Sequence, residues 1–407
     1  MIVNRNRGII GILTGGGDVP GLNPAIRGIV SSAIREGYKV IGIKRGWAGL
    51  IEMIRSKSVD NSDCYEEFSQ TILNSTAMRE ESFLHSSRTK PSDLLAEEVP
   101  EHLKDLYNEP INDLTPEVIK NIEFLGISGL IVIGGDDTLK YAFRLHKEGV
   151  KIIAIPKTMD GDVPGTSYCI GYSTCISRTI ELITTLSSSA GSHERFLVIE
   201  VFGKYSGFTA MLPTTVGVAN RCVIPEYKFN VNQLAELLSD DRAKSPGKYS
   251  TVVVSEGAKF NGCEDIQKSN GVRQGGYGEE LARRLKIASS KYNGGKRVDT
   301  IFQNLGYLVR SGCPDFTDSI VPIAFGDMAI ELILNNKFGY MTAINAGRYA
   351  VVPLEVVDST SKVVDVERFY DTELLCPKRI SYFDQFVIGL SPADFFNKQK
   401  IVDLKNL

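Results

Sequence analysis

The chain has 407 residues, of which 43% are hydrophobic and 23% charged, and its net charge at pH 7 is -3. This composition is typical of a globular protein, and the length predicts two or three domains. The charge provides no basic surface for nucleic acid, and no apolar run approaches the roughly 18 residues of a membrane-spanning helix. We therefore expect neither nucleic acid nor a membrane as a partner.

The seven cysteines are scattered and form no Cys-x-x-Cys pair, which gives a zinc site little support. An odd number of cysteines is typical of reduced thiols in the cytosol. The first residues also lack the apolar segment and cleavage site of a signal peptide. These features predict a cytoplasmic protein.

Short apolar segments alternate with helical patterns from the start of the chain. A strand predicted at 9–13 is followed by a glycine-rich turn, by a helix with Asn23 as its N-terminal cap and Pro24 in its first turn, and by a strand at 40–43. Because βαβ crossovers are right-handed, this order predicts a parallel sheet.

The same alternation continues further along the chain, after a region at 45–115 where we expect loops and short helices over a cleft. A helical pattern begins at Thr115. Further buried strands are predicted at 129–133, 152–155, 196–201 and 251–254. Most polar candidate residues follow the carboxyl end of a predicted strand, where open α/β sheets bind ligands.

The first candidate site is the turn that begins Thr14-Gly15-Gly16-Gly17-Asp18. Glycines let a ligand approach the backbone, and the next helix offers unpaired amides, so phosphate is the natural ligand. The spacing is neither G-x-G-x-x-G nor a P-loop. A tight turn without a ligand is the alternative.

The second candidate site is the sequence Gly134-Gly135-Asp136-Asp137-Thr138 after a buried strand. Adjacent carboxylates are costly there unless a cation or a donor receives them. Mg²⁺ takes one or two carboxylates together with phosphate oxygens of a substrate, so Asp136 is the candidate metal ligand. Asp137 has an alternative role as the cap of the next helix.

The third candidate site is the segment 156–162, which contains Lys157, Thr158, Asp160 and Asp162. An aspartate near a cation can accept a proton from a sugar hydroxyl, and a lysine can hold phosphoryl oxygens. A solvated polar turn is the alternative. Further polar groups at predicted strand ends are His193 to Arg195, Phe202 to Lys204, Glu256 with Gly257, and Gly306 to Arg310.

In this order the motifs resemble the phosphofructokinase family, from Gly8 to about Phe325. The set is Gly-Gly-Asp, Lys-Thr-x-Asp-x-Asp, Ser-His-x-Arg, Glu-Val-x-Gly and Gly-Tyr-x-x-Arg. The sequence at 220–226 also resembles the short pyrophosphate-dependent members. The resemblance implies an α/β fold of two interleaved Rossmann-like domains with mainly parallel sheets.

The resemblance implies a phosphoryl-donor domain for pyrophosphate and Mg²⁺, made of residues 1–171 and 309–365. Residues 172–308 and 366–407 would form a sugar-phosphate domain, with the active site in the cleft between the two. Arg195 would reach the 6-phosphate of the sugar across a subunit interface, so the resemblance also implies a homodimer or homotetramer.

The resemblance also implies roles for the residues of the motifs. Asp160 would be the base that takes the proton of the sugar 1-hydroxyl, and Asp136 would hold Mg²⁺. The catalytic residues would be Asp160, Lys157, Asp137, Thr158 and Asp162. The donor would lie against Gly16, Gly17, Arg88, Asp137 and Lys157. The sugar phosphate would contact Thr158, Asp160, Arg195, Phe202, Gly203, Lys204, Glu256, Tyr307 and Arg310.

Two positions favour pyrophosphate over ATP as the donor. ATP-dependent members resemble Gly-Gly-Asp-Gly at the second motif, so a partly buried Asp137 carboxylate would exclude the α-phosphate of ATP by several kcal/mol. Lys157 stands where many of them have glycine, and it would neutralise pyrophosphate. Some ATP-dependent relatives carry lysine there as well.

The sequence departs from the family pattern at several positions. Glu80 and Glu81 stand in place of two glycines, Gly161 in place of Asn, Lys204 in place of Arg, and Ile301 in place of an expected Arg. These departures concern the identity and affinity of the acceptor. They leave the predicted metal ligand and base in place.

The sequence therefore predicts a reversible, Mg²⁺-dependent phosphotransferase that converts pyrophosphate and fructose 6-phosphate into fructose 1,6-bisphosphate. One alternative is the same chemistry with ATP as donor or sedoheptulose 7-phosphate as acceptor. Another is a regulatory paralogue that binds sugar phosphate without turnover. Retention of Asp136, Asp160 and Asp162 favours an enzyme.

Overall fold

Two β-sheets flanked by helices form the fold in a computed structural model that describes residues 7–69, 81–263 and 277–379. The strands, in chain order, are β1 Ile9–Thr14, β2 Lys39–Ile43, β3 Tyr65–Glu67, β4 Leu94–Leu95, β5 Ile111–Asn112, β6 Ile127–Gly134, β7 Ile152–Pro156, β8 Phe196–Val201, β9 Arg221–Val223, β10 Ser250–Ser255, β11 Thr300–Asn304, β12 Tyr340–Asn345, β13 Arg348–Pro353, β14 Tyr370–Asp371 and β15 Cys376–Pro377.

The helices connect and cover these strands. They are α1 Leu22–Arg35, α2 Trp47–Glu52, α3 Thr115–Phe124, α4 Asp136–Lys147, α5 Tyr172–Ser192, α6 Phe208–Val216, α7 Val231–Lys244, α8 Gly278–Ala288, α9 Phe316–Leu334, α10 Val356–Ser359 and α11 Val366–Phe369. Short 3₁₀ turns lie at Ala96–Glu98, Glu101–Leu103, Ser289–Tyr292 and Gly306–Val309. Within the described residues, no helix is both long and apolar enough to span a bilayer.

The first sheet has the strand order β13-β12-β7-β6-β1-β2-β3. Its five central strands are parallel, and β3 and β13 pair antiparallel at the two edges. The second sheet has the order β11-β8-β10-β9 and is parallel throughout. The predicted α/β fold with mainly parallel sheets is therefore confirmed.

The predicted strands are present with small changes at their ends. Because helices cover both faces of a parallel sheet, its strands are continuous apolar runs, and β8 and β10 are buried at every residue. The short or amphipathic strands β9, β11, β12 and β13 were not predicted. In the described parts of 45–115, which leave out 70–80, the structure has short helices and loops as expected, together with the short strands β3, β4 and β5.

The predicted cap of the first helix is wrong. Gly21 precedes α1 with a φ of 102°, and no side chain caps the helix there in the described residues. A Cβ atom at Gly21 would lie 2.8 Å from the backbone oxygen of Asp318, so only glycine fits. Asn23 lies inside the first turn, and its amide group bonds the backbone of Glu81 and Phe83 instead.

The two sheets share one continuous hydrophobic core that includes residues of both β1 and β8. Helix α9 packs on α1 and β7 of the first sheet and on α5, which packs on β8 of the second. A Cβ atom at Gly28 would lie 2.6 Å from the backbone oxygen of Ile323, so α1 and α9 are in backbone contact. This packing holds the carboxyl ends of both sheets against one cleft.

The first sheet takes its strands from 9–156 and 340–353, and the second from 196–304. The predicted division into two domains stays a prediction. One domain would comprise 1–171 with 309–365, and the other 172–308 with 366–407. Four segments of these domains lie outside the described residues, namely 1–6, 70–80, 264–276 and 380–407.

Asp318 of α9 is fully buried and holds the start of α5. Its carboxylate accepts hydrogen bonds from the Tyr168 hydroxyl, from the Gly171 and Thr174 amides at 2.9 and 2.8 Å, and from the Thr174 hydroxyl at 2.6 Å. The same segment contains Ile170, whose carbonyl accepts the Thr158 amide at 3.2 Å. Asp318 therefore supports the third candidate site from behind.

We expect Asp318→Asn to lower the free energy of unfolding by about 2–4 kcal/mol, because an amide NH₂ would face backbone donors inside the core. Urea denaturation of both proteins measures this difference. The control is Asp358→Asn, whose carboxylate is half exposed and lies 3.8 Å from Lys147; it should change stability by less than about 1 kcal/mol. Equal effects of the two substitutions would contradict the supporting role of Asp318.

Candidate active site

The three candidate motifs meet because β7, β6 and β1 are neighbouring parallel strands. The amide of Gly15 donates to the Ile133 carbonyl at 2.9 Å, and the amide of Lys157 donates to the Gly134 carbonyl at 2.9 Å. Parallel strands place their carboxyl ends at one edge of the sheet. The glycine turn, Asp136 and the segment 156–162 therefore line a single edge.

The ammonium group of Lys157 is buried beneath the glycine turn. Its Nζ donates to the Gly17 carbonyl at 2.6 Å, and a Cβ atom at Gly16 would lie 3.1 Å from it. Burial, together with the positive charges of Arg310 and Arg88, lowers the pKa of Lys157 to about 8. A bound polyanion would raise this pKa again and keep the lysine charged, as a phosphoryl-donor site requires.

Arg310 lies against the glycine turn although it was predicted for the sugar pocket. Its guanidinium donates to the Asp18 carbonyl at 2.7 and 3.1 Å and pairs with the Asp18 carboxylate at 3.0 Å. A Cβ atom at Gly17 would lie 2.1 Å from its Nη2, so a side chain at position 17 would displace it. Its other neighbours are the rings of Phe202 and Tyr307. Arg310 thus joins the donor turn to the predicted sugar side.

Asp160 and Asp162 are a pair of half-buried carboxylates on one turn. The Thr158 hydroxyl donates to Asp162 at 3.0 Å and accepts the Asp160 amide at 3.1 Å. Desolvation, together with the negative charges of Asp162 and Glu256, raises the pKa of Asp160 to about 7. Burial also raises the pKa of Asp162. A carboxylate with a pKa near 7 is suited to general-base catalysis at neutral pH.

Asp136 lies in the first turn of α4, where it faces the Asp160–Asp162 pair. Its carboxylate accepts from Lys140 at 2.8 Å, and its charge contributes to the raised pKa of Asp162. Across the described residues, no group of three or more His, Cys, Asp or Glu side chains could hold a metal by itself. One carboxylate beside a phosphate site fits Mg²⁺, which takes its remaining ligands from substrate and water.

Asp137 differs from the prediction in two respects. The cap of α4 is Gly135, so the alternative role of Asp137 as a helix cap is wrong. Its side chain is 72% exposed and pairs with Lys90 at 3.2 Å, so the assumption of partial burial is also wrong. Because water and Lys90 screen this carboxylate, its repulsion of a nucleotide is weaker than several kcal/mol.

The residues predicted to contact the sugar lie mainly at the carboxyl ends of β8, β10 and β11. The Lys204 amide points to the Asp160 carboxylate at 3.4 Å, while the Lys204 side chain is exposed beside the Tyr205 ring. Gly203 has a φ of 127°, and a Cβ atom there would lie 2.5 Å from the Ser206 carbonyl. Burial and the charge of Glu200 raise the pKa of Glu256.

Arg195 lies apart from these residues. The segment His193 to Arg195 follows α5 and precedes β8, so its predicted position after a strand is wrong. The Arg195 carbonyl accepts the Ser250 amide at 3.4 Å, which places it at the amino ends of β8 and β10. Six residues of β8 separate it from the cleft by about 20 Å. A role of Arg195 across a subunit interface stays a prediction.

The structure explains some of the departures from the family pattern. Gly161 has a φ of 68°, and a Cβ atom there would lie 2.9 Å from the Tyr172 ring, so glycine is required. Ile301 lies in β11 and packs on the core, where an arginine would be costly. Glu81 is exposed, and Glu80 lies outside the described residues.

Several charged neighbours of the site were not predicted. Asp18 orients Arg310, and Lys140 binds Asp136 one helical turn away, a spacing that the sequence did contain. Lys90 pairs with Asp137 from a distant loop. The positive charge of Lys362, in the last described part of the chain, lowers the pKa of Asp162, and no local sequence pattern indicates this.

Parallel sheets that carry a buried lysine at a glycine turn beside paired carboxylates are typical of phosphoryl-transfer proteins. The chain belongs to the phosphofructokinase family, because the model of the family described as "Phosphofructokinase" matches residues 9–333. The predicted resemblance is confirmed.

Curated relatives of both donor types are similar to the chain. It is 32% identical to a pyrophosphate–fructose 6-phosphate 1-phosphotransferase of Dictyoglomus thermophilum over 370 residues, which cover 89% of the chain and 96% of that protein. It is also 32% identical to an ATP-dependent 6-phosphofructokinase of Chloroflexus aurantiacus over 349 residues, which cover 85% of the chain and 89% of that protein. These relatives do not distinguish the two donors.

Solved structures agree on the fold. A pyrophosphate-dependent phosphofructokinase of Marinobacter aquaeolei superimposes with a TM-score of 0.69 at 17% identity, over 97% of each chain. A phosphofructokinase of Saccharomyces cerevisiae gives a TM-score of 0.67 at 22% identity over 86% of this chain. The chain spans less than half of that yeast protein, namely 45%.

The raised pKa of Asp160 predicts a pH-dependent stability. Because the carboxyl has a pKa of 3.8 unfolded and about 7 folded, the native state loses stability as pH rises through that window. Asp160→Asn cannot ionise, so its gain in melting temperature over the unsubstituted protein should be larger at about pH 8 than at about pH 5. Ligand-free thermal melts with a chelator measure both gains. Asp358→Asn is the control and should show the same small difference at both pH values.

Proposed function

We propose that the protein transfers a phosphoryl group reversibly from pyrophosphate to the 1-hydroxyl of fructose 6-phosphate. The observation that carries this proposal is the buried Lys157 ammonium under the glycine turn, in the same segment as the Asp160 carboxylate with its raised pKa. Family membership and the pyrophosphate-dependent relative support it.

The residues of the cleft supply positioning, charge and one proton acceptor. The sugar 1-hydroxyl oxygen attacks one phosphorus of pyrophosphate, the bridging P–O bond breaks, and inorganic phosphate leaves. The hydroxyl proton passes to the Asp160 carboxylate. Lys157, with Arg310 and Arg88 nearby, receives the negative charge of the donor, and Thr158 orients Asp162 beside the reacting groups.

Asp136 is the residue that would hold Mg²⁺ together with phosphate oxygens of the donor. When bound, the ion would neutralise charge on the transferring group. Lys140, which occupies the Asp136 carboxylate at 2.8 Å, would then turn toward solvent or the donor.

The other predicted contacts of the cleft follow from this proposal. Glu256, Phe202 to Lys204 and Tyr307 would line the acceptor side of the cleft. Arg195 would serve the cleft of a second subunit in a homodimer or homotetramer, since it lies at the far end of β8 from its own. A phosphotransferase of small sugar phosphates would act in the cytoplasm.

The proposed preference for pyrophosphate rests on Lys157 and on the volume of the Asp137 side chain. The charge of Asp137 contributes less. The Asp137 side chain stands at the start of α4, beside the predicted metal ligand, and fills space that glycine would leave open. Its exposure favours ATP as a weaker second donor rather than an excluded one.

We expect kcat/KM to be higher with pyrophosphate than with ATP in an assay coupled to fructose 1,6-bisphosphate. Asp137→Gly should raise kcat/KM for ATP by about fivefold to tenfold, since it removes both volume and a screened charge. Asp137→Asn, which keeps the volume, is the matched control and should recover only a small part of this gain. A higher kcat/KM with ATP in the unsubstituted protein would overturn the proposed donor.

The two shifted groups predict a narrow pH optimum for kcat/KM with pyrophosphate. Activity should fall below about pH 7 as Asp160 gains a proton, and above about pH 8 as Lys157 loses one. Because pyrophosphate titrates in the same range, the assignment rests on Lys157→Arg, whose guanidinium stays charged and should extend the alkaline limb. Identical alkaline limbs for the two proteins would exclude Lys157 as the group responsible.

A further inference from the structure

Three successive carbonyls of the glycine turn, those of residues 16–18, accept hydrogen bonds from side chains that lie elsewhere in the chain. The side chains, in the order of these carbonyls, are those of Ser86, Lys157 and Arg310. Lys157 and Arg310 are the cations that receive the charge of the phosphoryl donor in the proposed mechanism. The Ser86 hydroxyl is neutral, and that mechanism gives it no role.

Ser86 and Ser87 hold Gly16 through both of its backbone polar groups. The Ser86 hydroxyl donates to the Gly16 carbonyl at 2.6 Å, and the Gly16 amide donates to the Ser87 carbonyl at 2.8 Å. Gly16 has a φ of 86°, and a glycine has no side chain that would confine its backbone. The two bonds therefore supply a restraint that the turn itself lacks.

Thr14, the last residue of β1, extends the same contact. Its hydroxyl donates to the His85 carbonyl at 2.6 Å, and its carbonyl lies 3.2 Å from the Ser86 hydroxyl. His85 has a φ of 55°, in the left-handed region that residues with a side chain seldom adopt. Such a conformation persists where the surrounding structure holds it. The loop 85–87 is therefore fixed against the turn, and Arg88 follows it directly.

The neutral hydroxyl can stay in place while the donor binds. A polyanion competes with the turn carbonyls for the N–H groups of Lys157 and Arg310, because charge-assisted hydrogen bonds are stronger than neutral ones. Once the two cations bond the donor, the contacts of the loop 85–87 remain to hold the turn. A site that is already in its bound conformation binds with a smaller loss of entropy.

We propose that Ser86 is a positioning residue for the phosphoryl donor: its hydrogen bond to Gly16 keeps the glycine turn in the binding conformation when Lys157 and Arg310 bond the donor. Ser86 acts through the backbone of the turn. This inference rests on the proposed function, because it takes the donor phosphates to lie against Gly16 and Gly17.

The test removes the Ser86 hydroxyl alone. We expect Ser86→Ala to raise KM for pyrophosphate by about threefold to tenfold, the contribution of one hydrogen bond. Titration calorimetry with pyrophosphate and Mg²⁺ should show binding that is weaker by a similar factor. KM for fructose 6-phosphate should change by less than about twofold, since the acceptor contacts the other side of the cleft. Ser86→Thr keeps the hydroxyl and should restore most of the affinity for the donor.

Ser128→Ala is the matched control at the opposite end of the same strand. The Ser128 hydroxyl also donates to a carbonyl of β1, that of Ile9, at 2.8 Å, but at the amino end of the strand, away from the cleft. This substitution should leave both KM values unchanged. Thermal melts of all three variants show whether each is folded.

The outcomes separate this inference from the proposed function. An unchanged donor KM in Ser86→Ala, or a Ser86→Thr variant no better than Ser86→Ala, would overturn the role of the hydroxyl and leave the proposed function standing. Loss of the folded state, or equal increases in KM for donor and acceptor, would assign Ser86 to general stability and overturn it as well. A protein without turnover would defeat the proposed function, whereas weaker pyrophosphate binding by Ser86→Ala would still support the inference.

Discussion

The contact between the Lys157 ammonium and the Gly17 carbonyl is the interaction on which the site depends. It joins the end of β7 to the turn after β1 across the intervening end of β6, so one bond ties the first and third motifs together. The contact requires glycines in the turn, since side chains at Gly16 and Gly17 would meet Lys157 and Arg310. The buried charge also leaves the turn poised for a polyanion, because no aqueous solvent neutralises it.

The rest of the cleft balances that positive charge. Asp160 and Asp162 are half-buried on one turn, and the charge of Asp162 disfavours ionisation of Asp160. The positive charges of Lys157, Arg310 and Lys362 favour the ionised carboxylates. Asp136 adds a further carboxylate at a helix start, where it can meet a cation and phosphate together. The chemistry thus follows from the arrangement of opposite charges at two sheet edges rather than from one reactive side chain.

Much of the fold and part of the site followed from local patterns. Continuous apolar runs predicted the buried strands of both sheets, and the motifs after them predicted which residues gather around Lys157 and Asp160. Amphipathic or short strands such as β9 and β11 escaped prediction, because a few alternating residues resemble loops. Arg195 was misplaced for a related reason: the chain enters β8 directly after α5, so the segment stands at the opposite end of that strand.

The sequence by itself determined the α/β class, the family, and the identity of the carboxylates and lysine at the strand ends, because these depend on residues adjacent in the chain. The tertiary structure decided which charges face one another. Asp137 is exposed beside Lys90, Arg310 pairs with Asp18 at the glycine turn, and the charge of Lys362, far along the chain, favours ionised Asp162. Burial and long-range pairing set the energies of these charges, and neither is encoded in any local pattern.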